Sequence, residues 1–401
     1  EKMSVTRRQF GGLLGASIGS IALRGYAAQG KENVHFSHGV ASGDPLQNRV
    51  VLWTRVIPGD LLPRRVKVEW EVSTNDQFTE VVRKGRAFAD PSADFTVKVD
   101  AQGLKPSHKY FYRFVAEDVS SCIGITKTLP KGNVNQFRIG LASCCNFPQG
   151  YFNAYRDMAS QDLDLVLHLG DYIYEYPDGE YANQEALDRL NRHVRPTHEI
   201  LTLDDYRTRY GLYRNDKHLQ AVHQQHPFIC VWDDHELTND TWKTGAENHN
   251  KGEGDFLSRI RAARQAYHEW MPIRTNSTGN QGPIFRSFQI GDLADLMMLD
   301  TRFHGRDRGL NYHEDISQLM QWFDKSDPSY IRKITWEEAK SLPQSSRELL
   351  KLPFDYSADK PLSSLDYNAL KKISPKSLAD EWINQSDLRA FESEILGDKN
   401  R

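Results

Sequence analysis

The sequence predicts a two-domain chain of α/β (α+β) class, a β-sandwich followed by an α/β domain. Three observations carry this. The 401 residues call for two or three domains at roughly 150 residues each. Residues 35 to 130 hold β-branched and period-two runs at sandwich spacing. After residue 136, short apolar runs alternate with helical stretches. The 51 basic and 54 acidic residues nearly cancel to a formal charge of -3, which removes any compositional case for nucleic-acid affinity or an acidic tail. A hydrophobic share of 39% with 27 glycines excludes a disordered chain, a coiled coil, collagen and a polytopic membrane protein.

At the N-terminus, Thr6-Arg7-Arg8-Gln9-Phe10 precedes a mild apolar stretch, Gly11 to Leu23, and Arg24-Gly25-Tyr26-Ala27-Ala28 then offers small residues for cleavage. Residues 1–30 read as a twin-arginine signal peptide, too short and too rich in glycine and serine to span a bilayer. The plain alternative is an amphipathic N-terminal segment. Glu1-Lys2 ahead of Met3 points either to a start at Met3 or to a longer reading frame. Four cysteines, at 122, 144, 145 and 230, are too few for a disulfide framework, and the adjacent Cys144 and Cys145 do not readily bond each other.

In the 31–130 segment the strands are Val50 to Val56, the alternating Val66-Lys67-Val68-Glu69-Trp70-Glu71-Val72, and the aromatic Tyr110 to Val115. Ser42-Gly43-Asp44-Pro45 and Leu104-Lys105-Pro106-Ser107 are the turns between runs, and Thr128 to Asn133 is the expected linker. In the 136–326 segment, three apolar runs end alike. Phe137 to Ala142 leads to Ser143-Cys144; Leu163 to Leu169 leads to Gly170-Asp171-Tyr172-Ile173-Tyr174; Phe228 to Trp232 leads to Asp233-Asp234-His235-Glu236. A fourth, Asp295 to Leu299, delivers Asp300-Thr301-Arg302. Ligands of open α/β sheets bind beyond the carboxyl ends of strands, so these four endings are expected to converge on one edge.

The residue types suit a polynuclear metal site. Asp171 has two oxygens with which to bridge ions, and Gly170 before it allows a sharp turn. Tyr174, one turn on, offers a hard phenolate, Cys144 a soft thiolate, and Asn239 an amide oxygen for a calcium-like ion. Asp300 adds a carboxylate from the fourth strand end, and His235 is placed to serve a leaving group as acid. Each has a plainer reading: Gly170-Asp171 as a turn, Cys144 as a buried small hydrophobe, His235 as a solvated loop histidine, Asp300 and Arg302 as a structural ion pair.

Taken together, Phe36-Ser37-His38-Gly39-Val40-Ala41-Ser42-Gly43-Asp44-Pro45 with Val51 to Arg55, Ala142-Ser143-Cys144, His168 to Glu175, Tyr206 to Tyr210, Trp232 to Glu236 and Leu299 to Arg302 make a specific pattern. From about residue 35 to 325 the chain resembles the PhoD-type alkaline phosphatase and phosphodiesterase family of the calcineurin-like metallophosphoesterases. The resemblance implies a fibronectin/Ig-like β-sandwich followed by a metallophosphoesterase α/β/β/α sandwich. It also implies Fe3+ and Ca2+ held by Cys144, Asp171, Tyr174 and Asn239. Asp234 and His235 take the place of an asparagine and histidine that bind the second metal and the phosphate or leaving group.

The implied reaction is hydrolysis of phosphate mono- and diesters by a metal-bound hydroxide, with Asp234, His235 and Arg302 as catalytic residues. The implied setting is periplasmic or secreted. The expected partners are the phosphate ester and the twin-arginine translocase, with no membrane span and no nucleic acid except as substrate. One departure stands out: the Gly-Asp-x-His motif of the family's metal shell is missing. Residues 327–401 therefore read as a polar insertion or an incomplete C-terminal part, which leaves open that this chain is inactive alone. The competing reading is an exported binding protein for a phosphate polymer or phospholipid, with structural metals only.

Overall fold

The computed structural model describes residues 34–59, 64–275, 284–308, 320–324, 326–327, 332–351, 354–355 and 360–361. The signal-peptide reading lies outside them. The chain divides into two compact units, residues 1–308 and 309–401.

The first unit opens with β1 (Val40–Gly43), β2 (Arg49–Arg55), β3 (Val66–Ser73), β4 (Val81–Ala89), β5 (Thr96–Gln102), β6 (Lys109–Ala116), β7 (Val119–Ser120) and β8 (Gly124–Lys127). Next come β9 (Ile139–Ala142), α1 (Asn153–Ser160), β10 (Leu165–His168), α2 (Gln184–Leu190), α3 (Leu203–Arg214), α4 (Lys217–Gln225), β11 (Pro227–Cys230), α5 (Phe256–Trp270), β12 (Arg286–Ile290) and β13 (Ala294–Met298).

A five-stranded antiparallel sheet runs β4-β3-β6-β7, with β8 also on β6. A six-stranded sheet runs β5-β2-β1-β11-β10-β9. The second sheet crosses the expected linker, since β1 pairs in parallel with β11. Alternation of side chains along its first strands lets each serve two cores. Val50 and Leu52 of β2 and Val40 of β1 join Val66, Val68, Tyr112 and Phe114 of the other sheet. Trp53 and Ala41, pointing the opposite way, join Tyr210, Trp270, Phe228 and Ile229. Buried on both faces, β2 therefore reads as a continuous apolar run, while β3, with one wet face, alternates.

The helices start where their caps dictate. Thr202 and Asp205 form a reciprocal capping box on α3, and the Asp216 and Asp255 side chains accept the first free N–H groups of α4 and α5. α3 buries Tyr206, Tyr210 and Tyr213 on one side, and α5 carries the Glu269 carbonyl that accepts the Trp53 indole N–H at 2.8 Å.

The four-strand convergence needs one correction. β9, β10 and β11 are parallel neighbours, but β13 pairs antiparallel with β12 in a separate two-stranded ribbon. Gly291, at φ +54°, makes the tight turn between them; a Cβ there would stand 2.4 Å from the Gly132 carbonyl. A strand joined to its predecessor by such a turn pairs with it rather than entering the parallel sheet.

The second unit contains β14 (Met320–Asp324), β15 (Arg332–Ile334), α6 (Trp336–Ser341) and β16 (Arg347–Lys351), with β14 between the other two. α6 opens with a reciprocal capping box between Thr335 and Glu338. Among the described residues, no helix is long and apolar enough to cross a membrane.

Candidate metal centre

The turns after β9 and β10 are stapled together by their backbones. Cys144 N–H donates to the Gly170 carbonyl at 3.1 Å and Cys145 N–H to that of Asp171 at 3.0 Å. Gly170 cannot carry a side chain, because a Cβ would lie 2.3 Å from the Asp233 nitrogen of the loop after β11. Cys144 and Asp171, neither a glycine, are both held left-handed, at φ +58° and +55°. Such conformations persist only where the surroundings over-determine them.

These turns bring Cys144, Asp171 and Tyr174 together. Asp171 Oδ2 accepts from the Cys144 thiol at 3.4 Å and from the Tyr174 hydroxyl at 3.3 Å, while its Oδ1 is buried without a partner. Tyr174 arrives through an irregular loop, not the helical turn its spacing suggested. From the loop after β11 come Asp234 and His235, and ligand atoms of Asp171, Asp234 and His235 lie within 4.8 Å of one another. His235 is buried, so the solvated-loop reading does not apply to it.

Arg302 also reaches this group although its strand lies outside the parallel sheet. Its Nε donates to Asp233 Oδ1 at 2.6 Å, and its Nη2 stands 3.3 Å from Asp234 Oδ1. The structural ion pair with Asp300, the plainer reading of these two residues, is not formed. Asp300 Oδ1 instead accepts the Trp232 indole N–H at 3.1 Å and backbone N–H groups of Arg302, Phe303 and His304, as a turn acceptor apart from the acidic cluster. Asn239 donates its side-chain amide to Glu247 at 2.9 Å and its backbone N–H to Glu175, the carboxylate that also holds His235.

Two glutamates without an assigned role in the sequence reading lace the loops reciprocally. Glu175, from the loop after β10, accepts from His235 Nδ1 and the Asn239 N–H, both at 2.7 Å. Glu236, from the loop after β11, accepts the N–H groups of Asp171 at 3.1 Å, Tyr172 at 2.7 Å and Asp233 at 2.8 Å. Each motif thus ends in the acid that holds the other in shape. The only sequence signal for this was a glutamate closing each of the two strand-end motifs.

The electrostatics describe a pocket short of positive charge. Burial, then the charge of Asp233, raises the Asp171 carboxyl against the pull of His235; burial also raises Asp234. Burial and Asp171 push Glu236 up to about 8, against its three N–H donors. The Cys144 thiol and Tyr174 phenol are both raised, first by burial and then by Asp171 among their neighbours. Three acids pushed upward, an orphaned Asp171 oxygen and a neutral thiol and phenol fit a bound cation, which would restore their ionised forms. A cleft of about 520 Å³ opens beside Cys144 and Tyr174, with Tyr151 and Tyr181 on its walls and no charged side chain in its lining.

Two family models match the chain: PhoD-like phosphatase over residues 139–342, and PhoD-like phosphatase, N-terminal domain, over residues 21–130. Alkaline phosphatase D of Bacillus subtilis (strain 168) is 42% identical over 305 residues, 74% of this chain and 51% of that protein. The chain thus spans about half the length of this curated relative. A solved structure of PhoD is 41% identical, with a TM-score of 0.64 over 71% of this chain and 54% of that one.

Proposed function

The chain belongs to the PhoD-like phosphatase family, and from that premise we propose that it is the metal-binding part of an exported hydrolase of phosphate mono- and diesters. The single observation behind this is the cluster of Asp171, Asp234 and His235 with its unpartnered Asp171 oxygen, set beside Cys144, Tyr174 and Arg302. On this reading residues 31–130 form the fibronectin/Ig-like sandwich, residues 136–326 the metallophosphoesterase layers and residues 327–401 a polar insertion or an incomplete C-terminal part. Residues 1–30 direct the chain to the periplasm or medium through the twin-arginine translocase.

Cys144, Asp171 and Tyr174 would hold the harder-bound ion, Fe3+ in our reading, and Asp171 with Asp234 a second, Ca2+. Asn239 would join them through its amide oxygen, since its contact to Glu247 uses only the nitrogen, and Asp300 only if its side chain turns from the partners it now has. Bound there, the ions supply Lewis-acid charge and lower the pKa of water. The protein's own groups do the rest. Arg302, held by Asp233 and Asp234, is aimed to take the charge that builds on a phosphoryl oxygen. Glu175 holds His235 by Nδ1, so that Nε2 is free to carry a proton to the leaving oxygen.

The test is hydrolysis of nitrophenyl and alkyl phosphate esters by the protein extended to its natural C-terminus. Arg302→Ala and His235→Ala are expected to retain metal and to lower turnover about a hundredfold or more. His235→Ala should harm the alkyl esters most, since their leaving oxygen needs the proton. Equal loss on both esters with metal retained would remove His235 as the acid. Full metal content with no hydrolysis in any form would favour the competing binding-protein reading.

A further inference from the structure

The cleft beside Cys144 and Tyr174 holds about 520 Å³, within the range of small-molecule sites and well above the roughly 150 Å³ that accommodates one benzene ring. Leu141, Phe152 and Met158 give it apolar walls, and no charged side chain lines it. Tyr174 joins it to the acidic cluster, while the rings of Tyr151 and Tyr181 are 52% and 59% exposed. Two large aromatic rings left this open at the edge of a cleft offer a surface for another flat group.

Tyr181 is fixed in place although its ring is exposed. Its carbonyl accepts from the Asn146 and Gln149 side-chain amides, both at 2.9 Å, which ties it to the segment that follows β9. Its backbone is left-handed at φ +46°, a conformation that a residue with a side chain keeps only when its surroundings impose it. The ring centroid lies 5.6 Å from that of Tyr174 and 5.4 Å from that of Tyr176. It also lies 6.3 Å from the His235 imidazole, with the two planes 23° apart. Tyr181 therefore connects the cleft to the proposed acid.

Tyr151 is backed by a buried cation that the cleft does not share. The Arg192 guanidinium lies 5.6 Å from its ring centroid and is bound to Asp216 at 2.6 Å. A leaving oxygen protonated by His235 stands on the Tyr181 side of the cluster, so the alcohol attached to it extends over that ring toward the cleft. An aromatic group there gains stacking and apolar contact. A second negative charge on the same alcohol would meet no cation in the lining.

We propose that Tyr181 and Tyr151 select the leaving alcohol, the cleft taking an uncharged, flat group, aryl or heterocyclic, on the departing side of the phosphoester. The inference rests on the hydrolase reading of the cluster and adds to it the class of ester. Esters whose leaving group carries a carboxylate or a second phosphate are the disfavoured ones.

The test compares benzyl phosphate, ethyl phosphate and phosphoglycolate on the metal-loaded protein extended to its natural C-terminus. Benzyl and ethyl alcohols are similar in basicity, so their ratio reads binding of the group rather than ease of departure. Benzyl phosphate should exceed ethyl phosphate about tenfold in kcat/KM, and phosphoglycolate should fall below both. Tyr181→Ala and Tyr151→Ala should each bring the benzyl-to-ethyl ratio to about two or less, whereas Tyr181→Phe, which keeps the ring, should preserve it. Benzylphosphonate and ethylphosphonate, which bind without being hydrolysed, separate this inference from the hydrolase reading. Tighter calorimetric binding of benzylphosphonate, lost in Tyr181→Ala, supports the cleft assignment even if no ester turns over. Hydrolysis with a benzyl-to-ethyl ratio near one, or a preference that survives Tyr181→Ala, overturns the inference and leaves the hydrolase reading standing. Equal binding of the two phosphonates without any turnover overturns both.

Discussion

Replacing Asp171 by Asn separates a metal ligand from a structural acid, because the two roles give opposite signs in the metal-free protein. Ligand atoms of Asp171, Asp234 and His235 lie within 4.8 Å of one another. Two ionised carboxylates at that distance repel by about 3.5 kcal/mol at an effective dielectric of about 20. A protonated His235 in the same cluster cancels most of this. Burial alone would lower the imidazole, but the hydrogen bond and charge of Glu175, with Asp171 and Asp234, raise it from 6.5 to about 9. A raised pKa of this kind stabilises the fold fully below pH 6.5, and its contribution is lost as pH rises through 9.

The metal-free Asp171→Asn protein should therefore match the wild type near neutrality and exceed it by about 3 kcal/mol at about pH 10. For a unit of about 300 residues that is a rise of about 5 °C in Tm. Metal at about a hundredfold over its Kd should add about 2.7 kcal/mol to the wild type and nothing to the variant. Differential scanning fluorimetry at both pH values, with chelator and with metal, reads all four states. A variant less stable than wild type at the alkaline pH without metal, yet still stabilised by metal, would refute the reasoning.

Asp44→Asn, measured by urea denaturation, should cost about 3–5 kcal/mol, because it strips the carboxylate from Arg286 in a buried bidentate pair; a loss under about 1 kcal/mol would contradict that. Replacing Arg7 and Arg8 with Lys should hold the precursor in the cytoplasm, since the pair is read by a receptor and not as general charge; unchanged recovery outside the cytoplasm would exclude the export reading.

Much of the site was legible because its groups stand at strand ends, where a short apolar run stops abruptly at a carboxylate, thiol or imidazole. The meeting of Cys144, Asp171, Tyr174, Asp234 and His235 follows from three parallel strands that are local in pattern. What escaped was long-range. β1 is four small residues buried on both faces, with no alternation to announce a partner, and its pairing with β11 depends on residues nearly half the chain away. Arg302 does reach the other strand ends as expected, but by a route its spacing does not show, since its strand pairs with β12 outside the parallel sheet. Glu175 and Glu236 looked like ordinary loop acids, since nothing in one-dimensional spacing says which N–H groups a carboxylate will meet.

The join between β1 and β11 also sets a timetable for the nascent chain. The two strands lie roughly 180 residues apart, and a ribosome working at about 5–20 residues per second needs about 10–40 s between them. Until β11 emerges, β1 presents a bare edge beside the already paired β2 and β5, open to pairing with the wrong strand. The N-terminal strands are therefore a half-built template during synthesis. The protein's most vulnerable moment comes before any of its chemistry has been made, and closing that edge is an act of the later half upon the earlier one.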